Sequence, residues 1–162
     1  MTPLGTLHIL LADDNANMRA IVSAMLKSLG VGRLSEADDG MRAIRIIEES
    51  PVDIAIVDFK MQPMDGVEFT RHIRLHEKSP APYLPIIMMT GHSEQARVTE
   101  ARDAGVTEFV AKPVVIQALI RRIEAVILKP RAFVKTASFF GPDRRRTFVL
   151  GYAGPYRRST DK

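Results

Sequence analysis

The sequence predicts an α/β domain: a five-stranded parallel sheet covered by helices on both faces, with a basic tail after it. Three observations carry this. Short apolar runs alternate five times with segments whose apolar residues recur at helical spacing. The central run, Ile54 to Val57, is continuously apolar rather than alternating, as in a strand buried on both faces. The charge is also unevenly distributed. Residues 1–129 hold 15 Lys and Arg against 17 Asp and Glu, whereas residues 130–162 hold 8 against 2. The chain therefore divides into a balanced domain, 1–129, and a basic tail, 130–162.

In chain order, Leu7 to Ala12 reads as a first strand, with His8 its one polar interruption, and ends in Asp13-Asp14-Asn15. Met18, Ile21, Val22, Met25, Leu26 and Leu29 then mark a helix that Gly30 closes. Arg33 to Ala37 is a strand at the sheet edge. Asp38-Asp39-Gly40 opens a second helix on Ile44 and Ile47, ending near Ser50-Pro51. The strand 52–57 stops at Asp58, and a loop with Pro63 and Asp65-Gly66 leads into a helix from Asp65 to Leu75. Three prolines make His76 to Pro85 a loop. Ile86 to Met89 is a fourth strand, ending at Thr90-Gly91. Ser93 is expected to cap a fourth helix whose inner face offers only Val98, Ala101 and Ala104, so this helix should be the least firmly held. Thr107 to Ala111 is a fifth strand, followed by Lys112-Pro113. A last helix, Val114 to Leu128, turns Ile116, Leu119, Ile120, Ile123 and Ile127 inward.

Right-handed crossovers with one reversal of winding place the first and third strands side by side, in the order 2-1-3-4-5. Ligands of such sheets bind at the carboxyl ends of the strands. Those ends carry Asp13 and Asp14, Asp58, Thr90 and Lys112. Singly, each has an ordinary explanation as a helix cap, a turn residue or a surface loop. Together they form a chemical set. Three carboxylates in one pocket repel unless a cation joins them, and hard oxygen ligands suit Mg²⁺, with Mn²⁺ as a substitute. With Lys112 the formal charge then reaches zero, and the pocket can accept a dianionic phosphoryl group. Asp58 as nucleophile would form an acyl phosphate, Lys112 would neutralise the transferring oxygens, and Thr90 would hydrogen-bond one of them.

Residues Leu7 to Leu128 resemble the response-regulator receiver domains of two-component signalling, of the chemotaxis type. The resemblance rests on Asp13-Asp14, Asp58, the loop Met61…Met64-Asp65-Gly66, Thr90-Gly91, Phe109 and Lys112-Pro113. It implies a flavodoxin-like fold and a stand-alone response regulator, to which the phosphohistidine of a histidine kinase or phosphotransfer protein donates at Asp58. It also implies that Asp13, Asp14, Asp58 and the backbone carbonyl of Lys60 hold Mg²⁺, and that the Lys112–Pro113 peptide is cis. Thr90 and Phe109 would act as switch residues. They would shift the face made by the fourth helix, fifth strand and fifth helix toward a protein target or a second copy of the chain. Such a domain is a phosphoacceptor, not an enzyme acting on a separate substrate. An aspartyl-phosphate phosphatase would need an Asp-x-Asp arrangement, but Phe59 and Lys60 follow Asp58.

Two departures stand out. Gln62 precedes Pro63, which displaces by one the proline that the family usually has directly after Met61. A modest change in loop shape is expected, without loss of the metal site. Lys60 and His92, two residues after Asp58 and Thr90, fall where the family flanks the entry path of the hydrolytic water. They are expected to tune phosphoryl lifetime.

The tail repeats a motif thirteen residues apart. Phe139-Phe140-Gly141-Pro142-Asp143-Arg144-Arg145 recurs as Tyr152-Ala153-Gly154-Pro155-Tyr156-Arg157-Arg158. Aromatic-x-Gly-Pro-x-Arg-Arg could clamp an acidic or phosphate-bearing surface, and basic residues beside aromatics also suit single-stranded nucleic acid. The alternatives are a solvated, partly disordered tail, or one packed on the domain or on a partner. A nucleic-acid-binding regulator acting through this tail is accordingly the second functional reading. The chain has no cysteine, which excludes disulfides and thiolate metal sites. It shows no basic leader and no apolar stretch long enough to span a membrane, so a soluble, cytoplasmic protein is expected.

Overall fold

The computed structural model describes residues 4–136 and 139–143. Five parallel strands, β1 (His8–Ala12), β2 (Arg33–Ala37), β3 (Ile54–Asp58), β4 (Ile86–Thr90) and β5 (Glu108–Ala111), form one sheet in the order β2-β1-β3-β4-β5. Five helices alternate with them: α1 (Ala16–Ser28), α2 (Gly40–Glu49), α3 (Gly66–Leu75), α4 (Val98–Ala104) and α5 (Ile116–Leu128). Successive strand residues point to opposite faces, so β1 and β3 each feed two cores. Leu10, Ala12, Ala55 and Val57 pack with residues of α2, α3 and α4, while Ile9, Leu11, Ile54 and Ile56 pack with residues of α1 and α5. This double coverage is why β1, β3 and β4 are buried along their whole length. His8 fits because its ring nitrogens lie 2.7 Å from the Pro51 carbonyl and 2.7 Å from Ser35 Oγ.

The helix ends have identifiable causes. Asn15 accepts from the Met18 N–H to start α1, and Asp39 accepts from the Met41 and Arg42 N–H groups to start α2. Asp65 and Glu68 form a capping box on α3. Gly30 follows α1 at φ 86°, the left-handed conformation glycine adopts without strain. α5 starts at Ile116, later than the sequence pattern suggests, because Val114 is buried in the core and Val115 is still extended as the N-cap.

The fourth helical segment departs from expectation. Ser93 does not cap it. A 3-10 turn, His92–Arg97, comes first, and α4 proper spans only seven residues. The buried Glu94 side chain accepts from the Gly91 N–H at 2.9 Å and from the Ser93 hydroxyl, which tightens this turn. α4 then buries only Ala101 and Ala104.

After α5 the chain forms an antiparallel hairpin of β6 (Phe133–Lys135) and β7 (Phe140–Pro142), with β7 against α3 and α4. Phe133 and Phe140 meet Tyr83 edge-on, with ring centroids 4.9 and 5.5 Å away. Phe139 is buried. The described part of the tail motif is thus Phe139, Gly141 and Pro142; Arg144, Arg145, Tyr152, Gly154, Pro155, Arg157 and Arg158 lie outside the described residues. Beneath the hairpin lies Arg74, only 3% exposed, whose guanidinium donates to the Gly105 carbonyl (3.0 Å), the Pro82 carbonyl (2.8 Å) and Thr107 Oγ1 (3.4 Å). It also lies 4.9 Å from the centre of the Phe133 ring. Among the described residues no helix is long and apolar enough to cross a membrane.

Candidate phosphoryl and metal site

The sheet register brings the carboxyl ends of four strands to one edge. Ala12 pairs with Val57, Asp58 with Met89, and Thr90 with Ala111. Asp13 therefore emerges next to Asp58, and Lys112 emerges next to Thr90, whose carbonyl accepts its N–H at 2.8 Å. Asp13, Asp14 and Asp58 each bring a carboxylate oxygen within 4.8 Å of the others. Asp13 and Asp58 are buried, whereas Asp14 faces solvent. The Lys112 ammonium lies 2.6 Å from Asp58 Oδ1 and 3.9 Å from Asp13 Oδ2.

The donor set is unevenly satisfied. Asp13 Oδ1 accepts from the Asn15 N–H at 2.9 Å, but Asp13 Oδ2 is buried with no hydrogen-bond donor. A buried carboxylate oxygen left without a donor is costly, and a hard cation would satisfy it. The residues present therefore fit a divalent metal. Burial pushes the Asp58 carboxyl up to about 6; the hydrogen bond from Lys112 opposes this, and the charges of Asp13 and Asp14 add to it.

That shift has a consequence for stability. Well below pH 3.8, the group's ordinary value, Asp58 is protonated in both folded and unfolded chains and contributes nothing. Between there and about 6 the unfolded chain releases the proton while the folded chain retains it, so folding is progressively disfavoured, and above about 6 the full penalty applies. In the presence of a chelator, Asp58→Asn should thus stabilise the protein by about 1–3 kcal/mol at neutral pH, with the gain shrinking as the pH falls and vanishing toward about pH 3. Urea denaturation across that range measures it, and a pH-independent difference would contradict the electrostatic cause.

The loop after β3 folds over the site. The Gly66 N–H donates to the Phe59 carbonyl at 3.0 Å, and a Cβ on Gly66 would come within 2.4 Å of the Asp58 carbonyl oxygen. Only glycine permits that approach. Met61 is buried, and both the Gln62–Pro63 and Lys112–Pro113 peptides are cis. The Lys60 and His92 side chains are exposed at the ends of β3 and β4. Thr90 is buried as the last residue of β4, and Phe109 is partly buried against the α2–α4 core.

Two further residues shape the site beyond those expected from the sequence. The Arg97 guanidinium lies 4.8 Å from the centre of the Phe59 ring, next to Asp58, and joins Asp14, Lys60 and Glu68 in lining an open cleft. Glu94 braces the turn after Thr90. Arg97 carries no local signal, because its placement depends on how the 3-10 turn packs on Phe59. Glu94, in contrast, closes a capping box on Gly91 three residues before it, a local pattern that the sequence does hold.

A response regulator receiver domain model matches residues 9–124. The chain belongs to this family. The chemotaxis protein CheY of Pseudomonas aeruginosa is 33% identical over 120 residues, covering 74% of this chain and 95% of that protein. A magnesium-bound receiver domain of a sensor histidine kinase from the same organism superposes with a TM-score of 0.65 at 32% identity, covering 73% of this chain and 94% of that one. The receiver domain of a Saccharomyces cerevisiae response regulator, solved with its histidine phosphotransfer protein, gives a TM-score of 0.65 at 25% identity, over 73% and 86%. This receiver is thus related to CheY-like response regulators, and receivers are the phosphoacceptors of two-component systems. The matched segment, 9–124, ends before the hairpin.

Proposed function

We propose that the chain is a stand-alone response regulator that takes a phosphoryl group onto Asp58 from the phosphohistidine of a histidine kinase or phosphotransfer protein. The observation that carries this reading is the buried Asp58 carboxylate held between the Lys112 ammonium at 2.6 Å and the unsatisfied Asp13 Oδ2. An Asp58 oxygen attacks phosphorus, the phosphorus–nitrogen bond breaks, and the imidazole leaves with the bonding electrons and takes up a proton. Lys112 neutralises the transferring oxygens, and the Thr90 hydroxyl hydrogen-bonds one of them. Asp13, Asp14, Asp58 and the Lys60 carbonyl would hold Mg²⁺ or Mn²⁺, which supplies positive charge against the phosphoryl oxygens. The magnesium-bound relative and the relative solved with a phosphotransfer protein support both halves of the reading.

The chain itself contributes the nucleophile and the fixed charges, so self-catalysed transfer from a small donor is expected. Thr90 and Phe109 would convey the modified state to the face of α4, β5 and α5, where a protein target docks. The nucleic-acid reading depends mainly on arginines beyond Asp143, outside the described residues. Incubation with Mg²⁺ and acetyl phosphate or phosphoramidate tests the proposal. Intact mass should show a single added phosphate on the wild type and none on Asp58→Ala, and an unmodified wild type would sink the reading.

A further inference from the structure

Residues 131–136 and 139–143 do more than cap the base of the domain: they grip elements that run from there to the phosphoryl site. Glu108, the buried first residue of β5, is held by Arg131 at 3.1 Å and by Arg122 of α5 at 3.7 Å. Arg131 also donates to the Asp143 carbonyl at 2.9 Å, which ties both ends of the hairpin to that carboxylate. β5 is four residues long, and Lys112, the group on Asp58, directly follows it. The strand is a short, straight link between hairpin and site.

α4 makes the second link. One end continues from the turn after Thr90-Gly91, and the other ends at Gly105. A Cβ on Gly141 would come within 3.0 Å of Gly105 Cα and 2.9 Å of Phe139 Cζ, so β7 lies against α4 with no slack. The Gly105 carbonyl also accepts from Arg74, which lies over Phe133. Since α4 buries only two alanines, contacts at its ends weigh heavily in fixing its position.

We propose that the β6–β7 hairpin is an intramolecular ligand of the α4–β5 base that holds the resting arrangement and loosens when Asp58 is phosphorylated. The proposal rests on Asp58 being the phosphoacceptor. In the docked state Lys112 contacts the unmodified carboxylate directly. A phosphoryl group on Asp58 must take Lys112 and Thr90 as partners, which displaces the ends of β5 and β4, and neither a four-residue strand nor a tight glycine contact absorbs such a shift. Coupling of this kind is reciprocal: whatever loosens the hairpin favours phosphorylation by the same factor.

Hydrogen exchange on the full chain, with and without Mg²⁺ and acetyl phosphate, tests this, with Asp58 modification quantified by mass in the same sample. Peptides spanning 131–143 contain the Thr136 and Asp143 amides, which donate to the Phe139 and Ala132 carbonyls at 2.7 Å each. They should exchange about fivefold or more faster in the modified protein. Gly141→Val, remote from Asp58, should undock the hairpin and raise the rate of phosphate uptake by up to about fivefold, the full factor applying where the transfer step already needs the loosened arrangement. Arg131→Gln should act in the same direction if the valine variant fails to fold. Unchanged or increased hairpin protection in a protein that does carry the phosphate, with both variants at the wild-type uptake rate, overturns the proposal. Absence of any adduct instead overturns the phosphoacceptor reading and removes the basis of this one.

Discussion

Asp13→Asn is expected to weaken divalent-metal binding about a hundredfold and to slow phosphate uptake at subsaturating Mg²⁺ to a similar degree. Loss of an outer-sphere partner alone costs about 10–100-fold in metal affinity, and Asp13 is assigned as a direct ligand. The substitution is close to isosteric. Asparagine keeps the oxygen that accepts from the Asn15 N–H, and changes only the buried Oδ2 that has no donor. The metal-free variant should therefore fold at least as well as the wild type, because one of three mutually repelling carboxylates is gone. Displacement of Mn²⁺ from its free paramagnetic signal gives the affinity, and uptake from acetyl phosphate at several Mg²⁺ concentrations gives the rate. Recovery of the rate at high Mg²⁺ would identify metal binding as the step affected. Unchanged affinity would remove Asp13 from the metal site.

The largest expected effect on stability lies at the other end of the sheet. Arg74→Met should destabilise the protein by about 3 kcal/mol, read as the shift of a urea denaturation curve. Methionine can fill most of the volume, but it leaves the Gly105 and Pro82 carbonyls without their guanidinium donors. It also removes the cation from the Phe133 ring. Burial lowers the Arg74 pKa to about 9, so the side chain still carries its charge at neutral pH. Arg71→Met provides the contrast. That side chain is about half exposed and only 3.9 Å from Glu100, so its loss should cost about 0.5 kcal/mol or less. Equal effects of the two substitutions would show that the buried hydrogen bonds contribute little.

The two arginines also mark what the sequence could reveal. Both sit on α3 in a segment reading GVEFTRHIRL, and nothing local separates a buried arginine from a solvated one. Arg74 is buried because Gly105, Pro82 and Phe133, none of them on α3, converge on it. The strand ends were legible for the opposite reason. An apolar run that stops at a charged residue fixes where a buried strand ends, and the winding rule then sets Asp13 beside Asp58 without any knowledge of side-chain packing. Helix four was half legible. Its thin apolar stripe was visible, but its 3-10 opening depends on a carboxylate, Glu94, folding back to Gly91. The hairpin was not visible as a hairpin, because its stability comes from Tyr83 and Arg74 rather than from an alternating pattern of its own.

The hairpin returns the chain to where it left α5, with the Asp143 N–H donating to the Ala132 carbonyl. Whatever follows Asp143 thus starts from the amino-terminal rim of the sheet, one full strand length away from Asp58. A phosphodonor must approach the opposite rim. A molecule docked on the β6–β7 hairpin and a kinase working at Asp58 would therefore approach opposite rims of the sheet, and both could occupy one receiver at once. A receiver so occupied could be modified without first releasing that molecule, so that signal and recruitment need not alternate in time.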